Sequence, residues 1–254
     1  MLNFAVLMPR NNTSPLSLSI VFPAYNEEDN VEAAVEGVRR VLEPIGVEYE
    51  IIIVDDCSTD RTPALADELA RNNPAVRVIH HERNYKLGRS IRTGFAAATK
   101  ALVFYTDADL PIDFADIPRG LQALRESGAD AVIGYRLDRG GEPAYRAIYS
   151  FIYNRLVNIL FGLRVRDVNF SYKLVKRELL RRLELTAEGS FIDAELLARI
   201  KAAGGTVAQL GVRYYARRAG ESTLARPAVI VKIFREMFHF WRTFWLRPPA
   251  RTHT

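Results

Sequence analysis

The chain has 254 residues, of which 48% are hydrophobic, and its 35 Lys or Arg and 30 Asp or Glu residues give a formal net charge of +5. This length and composition predict one folded domain with at most a small appendage, and they exclude a chain that is mainly disordered. The single cysteine, Cys57, excludes an intrachain disulfide and is typical of a reducing, cytosolic compartment.

The hydrophobic pattern of the first 135 residues alternates between strands and helices. Continuous apolar runs predict strands at 18–23, 49–54, 76–80, 101–105 and 131–134. Apolar residues at helical spacing predict the helices between them at 27–42, 62–71, 90–99 and 117–127. Because continuous apolar strands that alternate with helices are buried on both faces, we predict an α/β fold with a parallel sheet covered on both sides.

Acidic residues follow three of these predicted strands. They occur in 23–27, in 55–60, and at Asp107 and Asp109. Parallel sheets bind ligands at the carboxyl ends of their strands, so we predict a site at this edge. Helix capping and a solvated turn are the alternatives for individual acids.

Asp107 and Asp109 are one residue apart at the end of a buried strand. Their like charges repel and would raise one pKa, whereas a divalent cation that bridges to phosphate oxygens removes this conflict. The sequence has no G-x-G-x-x-G after the first strand and no G-x-x-x-x-G-K-[ST] motif. We therefore expect a metal and basic side chains to hold phosphates here.

The ordered motifs PAYNEEDNV, VDDCSTDRT, NYKLGRSIRTG and DAD resemble those of the family 2 glycosyltransferases with the GT-A fold. The resemblance runs from about Leu18 to Leu224 and is strongest to the branch that makes polyprenyl-phosphate sugars, such as dolichyl-phosphate mannose and glucose synthases. It implies a mostly parallel central sheet flanked by helices in a catalytic domain at 18–224. An N-terminal extension at 1–17 and a tail at 225–254 complete the predicted organisation.

The resemblance also implies roles for individual residues. Those that would bind the nucleotide-sugar donor are Pro23, Tyr25, Glu27, Val54, Asp55, Asp56, Lys86, Ala108 and Arg136. Asp107 and Asp109 would hold Mg²⁺ or Mn²⁺ together with the donor diphosphate.

Three later segments also match the family, two of them with a departure. Residues 167–173 resemble D-x-x-x-G-F-K/R with Ser171 in place of Gly, 191–195 resemble F-D-x-E, and 217–223 resemble R-x-x-G-x-S-K with Thr223 in place of Lys. Pro111 stands where this branch often has Gln. The departures at Thr223 and Pro111 concern the donor phosphates, so the identity of the sugar and the strength of donor binding are left open.

The downstream residues divide into those that contact phosphates and a candidate base. Arg217 would stabilise the departing diphosphate, and Ser222 would bind the donor or shape a turn. Lys173 and Arg146 would contact phosphate, with a surface ion pair as the alternative. Asp193 would be the general base if the acceptor were a sugar hydroxyl, and otherwise would cap a helix or orient a neighbour.

We expect an inverting, metal-dependent enzyme that acts on a polyprenyl phosphate at the cytosolic face of a membrane. A phosphate acceptor is already anionic and needs no strong base. A soluble sugar or glycan end, with Asp193 as base, is the alternative acceptor.

Two aromatic stretches bear on the membrane. The first, 145–161, is either a core helix or a helix beside the acceptor entrance. The second, 226–246, places apolar residues on one side: Ile230, Ile233, Phe234, Met237, Trp241, Phe244 and Trp245. Its cations face the other way, which is typical of a helix lying in a membrane surface, and packing on the body or on a partner subunit is the alternative.

Other classes of function fit the sequence less well. From Arg213 onward, nine basic residues stand against two acidic ones, so charge alone allows nucleic acid as well as an anionic membrane. No recognition motif precedes these cations, so we expect no nucleic-acid partner. An inactive scaffold would not need the two aspartates, and a nucleotidyltransferase would need a glycine-rich loop after the first strand. We expect no membrane-spanning helix and no signal peptide, and a homo-oligomer is left open.

Overall fold

The computed structural model describes residues 16–110, 112–138, 144–214, 235–238, 240–242 and 244. Strands and helices follow one another along the chain as β1 (Ser17–Ala24), α1 (Val31–Leu42), β2 (Glu48–Asp55), α2 (Thr62–Asn72), β3 (Val76–His80), α3 (Leu87–Ala97), β4 (Leu102–Tyr105), α4 (Asp116–Ser127), β5 (Ala131–Arg136), α5 (Ala144–Phe161), β6 (Lys173–Lys176), α6 (Arg177–Leu180), α7 (Ile192–Ala202) and β7 (Val207–Val212). Residues 235–238, 240–242 and 244 are also helical.

The strands form one sheet in the order β3-β2-β1-β4-β6-β5-β7. The neighbours β1, β2, β3 and β4 are parallel, as are β5 and β7, whereas β6 runs antiparallel to both β4 and β5. The predicted α/β fold with a mostly parallel sheet is therefore confirmed. The sequence pattern did not predict β6 or β7.

Each strand of the sheet centre sends alternate side chains into two separate cores. Ile20 and Phe22 of β1 join the core on the side of α1 and α4, whereas Val21 joins the core on the side of α5 and α7. Helix α3 lies so close to β1 that a Cβ on Gly94 would be 2.2 Å from Val21 Cγ1. The sheet is thus buried on both faces, as its continuous apolar strands predict.

The described part of the C-terminal helix packs on the body of the protein. Met237 and Phe240 are buried, and the ring of Phe240 lies 5.6 Å from that of Phe161 and 5.3 Å from that of Phe191. Phe244 also contacts Phe161, at 5.9 Å between ring centroids. For these residues the structure corresponds to the alternative in which the apolar face packs on the protein's own body. Residues 226–234 and 245–246 lie outside the described residues.

Within the described ranges, no helix combines the length and the hydrophobicity needed to cross a membrane.

Candidate active site

The loops at the carboxyl ends of four neighbouring strands share an unusual backbone feature. Among the described residues, the non-glycine residues with positive φ are Asn26 (56°), Cys57 (61°), Lys86 (78°) and Leu110 (58°). They follow β1, β2, β3 and β4 respectively, so all four lie at one edge of the sheet. Backbone of this kind is costly for residues other than glycine and is often found at functional sites.

The loops after β1 and β2 are joined by hydrogen bonds. The Asn26 N–H donates to Ser58 Oγ at 3.0 Å, and the Thr59 N–H donates back to Asn26 Oδ1 at 2.8 Å. The Glu27 N–H donates to Thr62 Oγ1 at 2.8 Å. These bonds fix the predicted nucleotide segment 23–27 against the segment 55–60.

The predicted donor residues of β1 and β2 differ in exposure. Pro23 is buried in β1. Its missing N–H lies on the side of β4, but β4 ends opposite Val21, so no hydrogen bond of the sheet is lost there. Tyr25 is 47% exposed, Glu27 is half-buried, and Val54 is fully buried in the core. Of this set, the Tyr25 ring is the side chain most available to a ligand.

Asp55 and Asp56 are both buried at the end of β2, and both are bonded within the protein. Asp55 Oδ1 accepts from the Ser58 N–H at 3.0 Å, and Asp55 Oδ2 lies 2.9 Å from His80 Nδ1. Asp56 Oδ1 lies 2.8 Å from His81 Nδ1, and Asp56 Oδ2 accepts from the Lys86 N–H at 2.8 Å.

Asp56 therefore anchors the segment between β3 and α3. It also accepts from the Tyr85 N–H at 2.8 Å, while the other ring nitrogen of His81 lies 3.0 Å from Thr93 Oγ1. The Lys86 side chain is exposed. Sequence reasoning did not single out His80 or His81, although a histidine pair at a strand end next to β2 was a usable signal.

The aspartate pair lies after β4, as predicted. Asp109 and Ala108 are buried and Asp107 is half-buried. The hydroxyl of Tyr105, the last residue of β4, is 3.3 Å from Asp107 Oδ1. Burial and the nearby carboxylates of Asp107 and Asp193 raise the pKa of Tyr105 well above its usual value, so this hydroxyl keeps its proton and donates.

The aspartate pair fits a cation that arrives together with a diphosphate. The described residues contain no group of three or more His, Cys, Asp or Glu side chains able to hold a metal by themselves. Mg²⁺ commonly uses one or two carboxylates, substrate phosphates and water in such sites, and Mn²⁺ accepts the same oxygen donors. In addition, the buried Thr106 Oγ1 between β4 and the pair has no hydrogen-bond partner among the described residues. Such an atom is typical of a site that a ligand completes.

Lys173 and Asp193 form a buried ion pair behind the aspartates. Lys173 begins β6 and lies opposite Tyr105 in the register, so the antiparallel strand brings it to this edge. Its ammonium is fully buried, 3.2 Å from Asp193 Oδ1, and donates to the Phe170 carbonyl. This corresponds to the ion-pair alternative for Lys173, with a buried partner in place of a surface one.

Asp193 is the second residue of α7 and makes no capping hydrogen bond, so the helix-capping alternative is wrong. Burial raises the pKa of Asp193, and the neighbouring Lys173 ammonium only partly offsets the rise.

Arg136 ends β5 at the same edge of the sheet. Its guanidinium pairs with the buried Asp167 through Nε at 2.7 Å and Nη2 at 3.2 Å, and it lies 5.3 Å from the Tyr214 ring centroid. Arg217, Ser222 and Pro111 lie outside the described residues, as does the side chain of Arg146.

Helix α5 presents an apolar stripe to solvent. Its exposed members are Ile148, Phe151, Ile152 and Ile159, and Phe151 is 70% exposed. The exposed Arg155 lies on the same face, between Phe151 and Ile159. The core-helix alternative is therefore wrong for this face. The opposite face packs inward through Tyr153, whose pKa is raised by burial and by the charge of Asp193.

Comparison with known proteins gives one family and several relatives. The family model "Glycosyl transferase family 2" matches residues 19–184. Curated relatives include "Dodecaprenyl-phosphate galacturonate synthase" from Rhizobium johnstonii (29% identical; 82% of this chain and 61% of the relative). A second is "Dolichol-phosphate mannosyltransferase" from Pyrococcus furiosus, which is 30% identical over 89% of this chain and 63% of the relative. A third is "Polyprenol monophosphomannose synthase" from Mycolicibacterium smegmatis, which is 29% identical over 85% of this chain and 84% of the relative. The chain thus spans less than two thirds of the first two relatives.

Solved structures establish the same fold. Glucosyl-3-phosphoglycerate synthase from Mycobacterium tuberculosis, in complex with Mn²⁺, UDP and glucosyl-3-phosphoglycerate, has a TM-score of 0.70 at 22% identity and covers 92% of this chain and 82% of that chain. The same enzyme in complex with Mg²⁺ and UDP has a TM-score of 0.69 at 20% identity, covering 88% and 79%.

Proposed function

The chain belongs to glycosyl transferase family 2 and is a glycosyltransferase, and on this premise we propose that it transfers a sugar, with inversion, from a UDP- or GDP-sugar to a polyprenyl phosphate. The donor binds at the carboxyl edge of β1, β2 and β4. The acceptor enters from a membrane surface, on its cytosolic face.

The donor diphosphate is held beside Asp107 and Asp109 together with Mg²⁺ or Mn²⁺. When bound, the cation offsets the negative charge that grows on the leaving diphosphate. Tyr105 donates to Asp107 and keeps that carboxylate in place. The side chains of Tyr25 and Lys86, both exposed at this edge, are available to the nucleotide. Arg217, Ser222 and Arg146 keep their proposed roles at the phosphates.

The observation that carries the choice of acceptor is the exposed apolar stripe of α5. Monomeric proteins rarely expose several large apolar side chains on one helix face, and such a face, here with the exposed Arg155 within it, commonly marks an interaction with a partner or a membrane. Each large apolar side chain that leaves water contributes about 1.5–3 kcal/mol. The four stripe residues can therefore support reversible contact with a bilayer, where a polyprenyl phosphate resides.

The chemistry at Asp193 also favours a phosphate acceptor. A sugar hydroxyl would need a base to remove its proton, but Asp193 is buried and paired with Lys173 at 3.2 Å. A phosphate oxygen carries its own negative charge and can attack the anomeric carbon directly. Attack from the face opposite the leaving diphosphate inverts the configuration there.

The names of the relatives agree with this acceptor, since they include synthases and transferases of dodecaprenyl-, dolichol- and polyprenol-linked phosphates. A soluble acceptor is the second candidate, because the solved structures of the same fold are of an enzyme in complex with phosphoglyceric acid, a soluble compound.

The deciding experiment offers both acceptors at once. The purified protein is incubated with Mg²⁺ or Mn²⁺ and a panel of UDP- and GDP-sugars, in the presence of a short-chain polyprenyl phosphate and of soluble acceptors that include phosphoglyceric acid. Products are separated by organic extraction and identified by mass spectrometry. We expect sugar in the lipid fraction from one donor.

Two controls make the outcome decisive. The variant Asp109→Asn should give no product, and the unphosphorylated polyprenol should accept no sugar. Transfer to soluble acceptors alone would contradict the lipid acceptor and support the second candidate.

A further inference from the structure

The ring of His80 bridges two carboxylates at the rim of the donor site. Its Nδ1 lies 2.9 Å from Asp55 Oδ2 at the end of β2, and its Nε2 lies 3.2 Å from Asp67 Oδ1 on α2. The parallel register sets Asp55 directly beside His80. The Asp55 carboxylate is buried, whereas the side chains of His80 and Asp67 are 40% and 58% exposed.

Both contacts are hydrogen bonds only when the ring is charged. A neutral imidazole has one N–H, so it can donate to only one of the two carboxylates and would turn a lone pair toward the other. An imidazolium donates to both. Burial lowers the pKa of His80, but the hydrogen bonds and charges of Asp55 and Asp67 outweigh it and raise that pKa above its ordinary value.

Charged and titratable groups of β2, α2 and the segment after β3 surround the His80 ring. Strand β2 contributes Asp55, and α2 contributes Asp67 and, one turn later, Arg71, whose Nε donates to the Asp67 carbonyl at 3.3 Å. His81 directly follows β3, and its ring nitrogens are hydrogen-bonded to Asp56 and to Thr93 of α3.

The edge that must receive an anionic donor carries many carboxylates, among them Asp55, Asp56, Asp107 and Asp109. We propose that His80 is a positioning residue of the donor site: as an imidazolium shared between Asp55 and Asp67, it fixes the Asp55 carboxylate and offsets its charge, so that a sugar nucleotide binds most tightly while His80 carries its proton. This inference rests on the proposed function, because it takes Asp55 to face the donor.

Two measurements test the proposal. NMR titration of the metal-free enzyme follows His80 directly, since the chain has four histidines. Calorimetry then measures binding of UDP-glucose and of GDP-mannose with Mg²⁺ between about pH 6 and 8.5. Sugar nucleotides are used because their diphosphate loses no proton in this range, whereas free UDP does.

Three variants separate the causes. His80→Gln removes the titratable charge but keeps a donor group. Asp67→Asn removes one of the two carboxylates that hold the proton on the ring. Glu68→Gln makes the same change of charge at the neighbouring exposed position of α2, and it serves as the matched control.

We expect donor affinity in the wild type to fall about fivefold as pH rises through the His80 titration, the size expected for one charge at a partly solvated site. Asp67→Asn should move both the NMR titration and the fall in affinity to lower pH. His80→Gln should bind about fivefold more weakly at pH 6 and show no fall, and Glu68→Gln should match the wild type.

The proposal is overturned if Asp67→Asn moves the His80 titration but leaves the affinity profile in place, or if His80→Gln keeps the wild-type profile. It is also overturned if His80 titrates at its ordinary pH in the wild type. Absence of binding by either sugar nucleotide at every pH would instead refute the proposed function, and with it this inference.

Discussion

Removing the Lys173 ammonium should destabilise the fold strongly, because Asp193 would be left buried without its partner. Lys173 is fully buried, and its Nζ lies 3.2 Å from Asp193 Oδ1. Breaking one side of such a buried pair costs about 3–5 kcal/mol. We therefore expect Lys173→Met to lower the free energy of unfolding by about this amount.

The double variant Lys173→Met/Asp193→Asn removes both charges together. We expect its free energy of unfolding to return to within about 2 kcal/mol of the wild type, since no uncompensated charge remains. Urea unfolding, followed by circular dichroism, measures the wild type, Lys173→Met, Asp193→Asn and the double variant. Tyr172→Phe, which removes a buried hydroxyl bonded to the Asp116 carbonyl at 2.8 Å, calibrates an ordinary buried hydrogen bond at about 1 kcal/mol.

The loss of stability in Lys173→Met should depend on pH. The pKa of Asp193 in the folded protein is raised above its unfolded value by burial, and loss of Lys173 raises it further. Stability linked to a raised pKa is present at low pH and is lost as pH rises through the folded value. The cost of Lys173→Met should therefore shrink between pH 7.5 and about pH 5. Unchanged unfolding in Lys173→Met, together with loss of donor binding, would refute this reasoning and restore a phosphate-binding role for Lys173.

Three further predictions concern the metal pair, α5 and the C-terminal helix. Asp109→Asn should reduce sugar transfer by at least about 100-fold while leaving the circular dichroism spectrum and melting temperature near those of the wild type; an active variant would contradict the metal assignment. Phe151→Glu should weaken binding to anionic liposomes by about tenfold or more in a flotation assay, whereas the charge control Asn72→Asp on α2 should not; equal flotation of Phe151→Glu and wild type would remove α5 from the membrane contact. Phe240→Ala should cost about 3–5 kcal/mol in urea unfolding because its ring packs on Phe161 and Phe191, and a cost below about 1 kcal/mol would show that this helix is not part of the domain core.

The sequence pattern predicts the centre of the sheet well. Strands β1, β2 and β4 carry runs such as Ile51-Ile52-Ile53 that are buried on both faces, and only a covered parallel strand tolerates such a run. The same strands end in acidic segments, so the position of the site could be predicted as well.

The missed strands lack that signal. Strand β6 has four residues and begins and ends with lysine, and β7 is an edge strand whose residues are mostly half-exposed. Because β6 inserts antiparallel between β4 and β5, it carries Lys173 into the protein interior. A local pattern gives no sign of that insertion, which is why a surface ion pair was the expected alternative.

Two other features depend on contacts between distant parts of the chain. The bond from His80 to Asp55 joins residues 25 positions apart and follows from the strand register alone. The periodicity of the C-terminal helix identifies its apolar side, but it cannot tell whether that side meets lipid or protein. In the structure, Met237 and Phe240 meet protein, whereas the exposed apolar face lies on α5.

The central claim is that Asp107 and Asp109 grip a divalent cation and thereby the donor diphosphate. Calorimetric titration of UDP and of GDP into the wild type and Asp109→Asn, each with and without Mn²⁺, tests it most directly. The account predicts that one nucleotide binds the wild type at least about tenfold more tightly with Mn²⁺, and that Asp109→Asn loses this gain. Equal affinity with and without Mn²⁺ in the wild type, or an undiminished Mn²⁺ effect in Asp109→Asn, would contradict it.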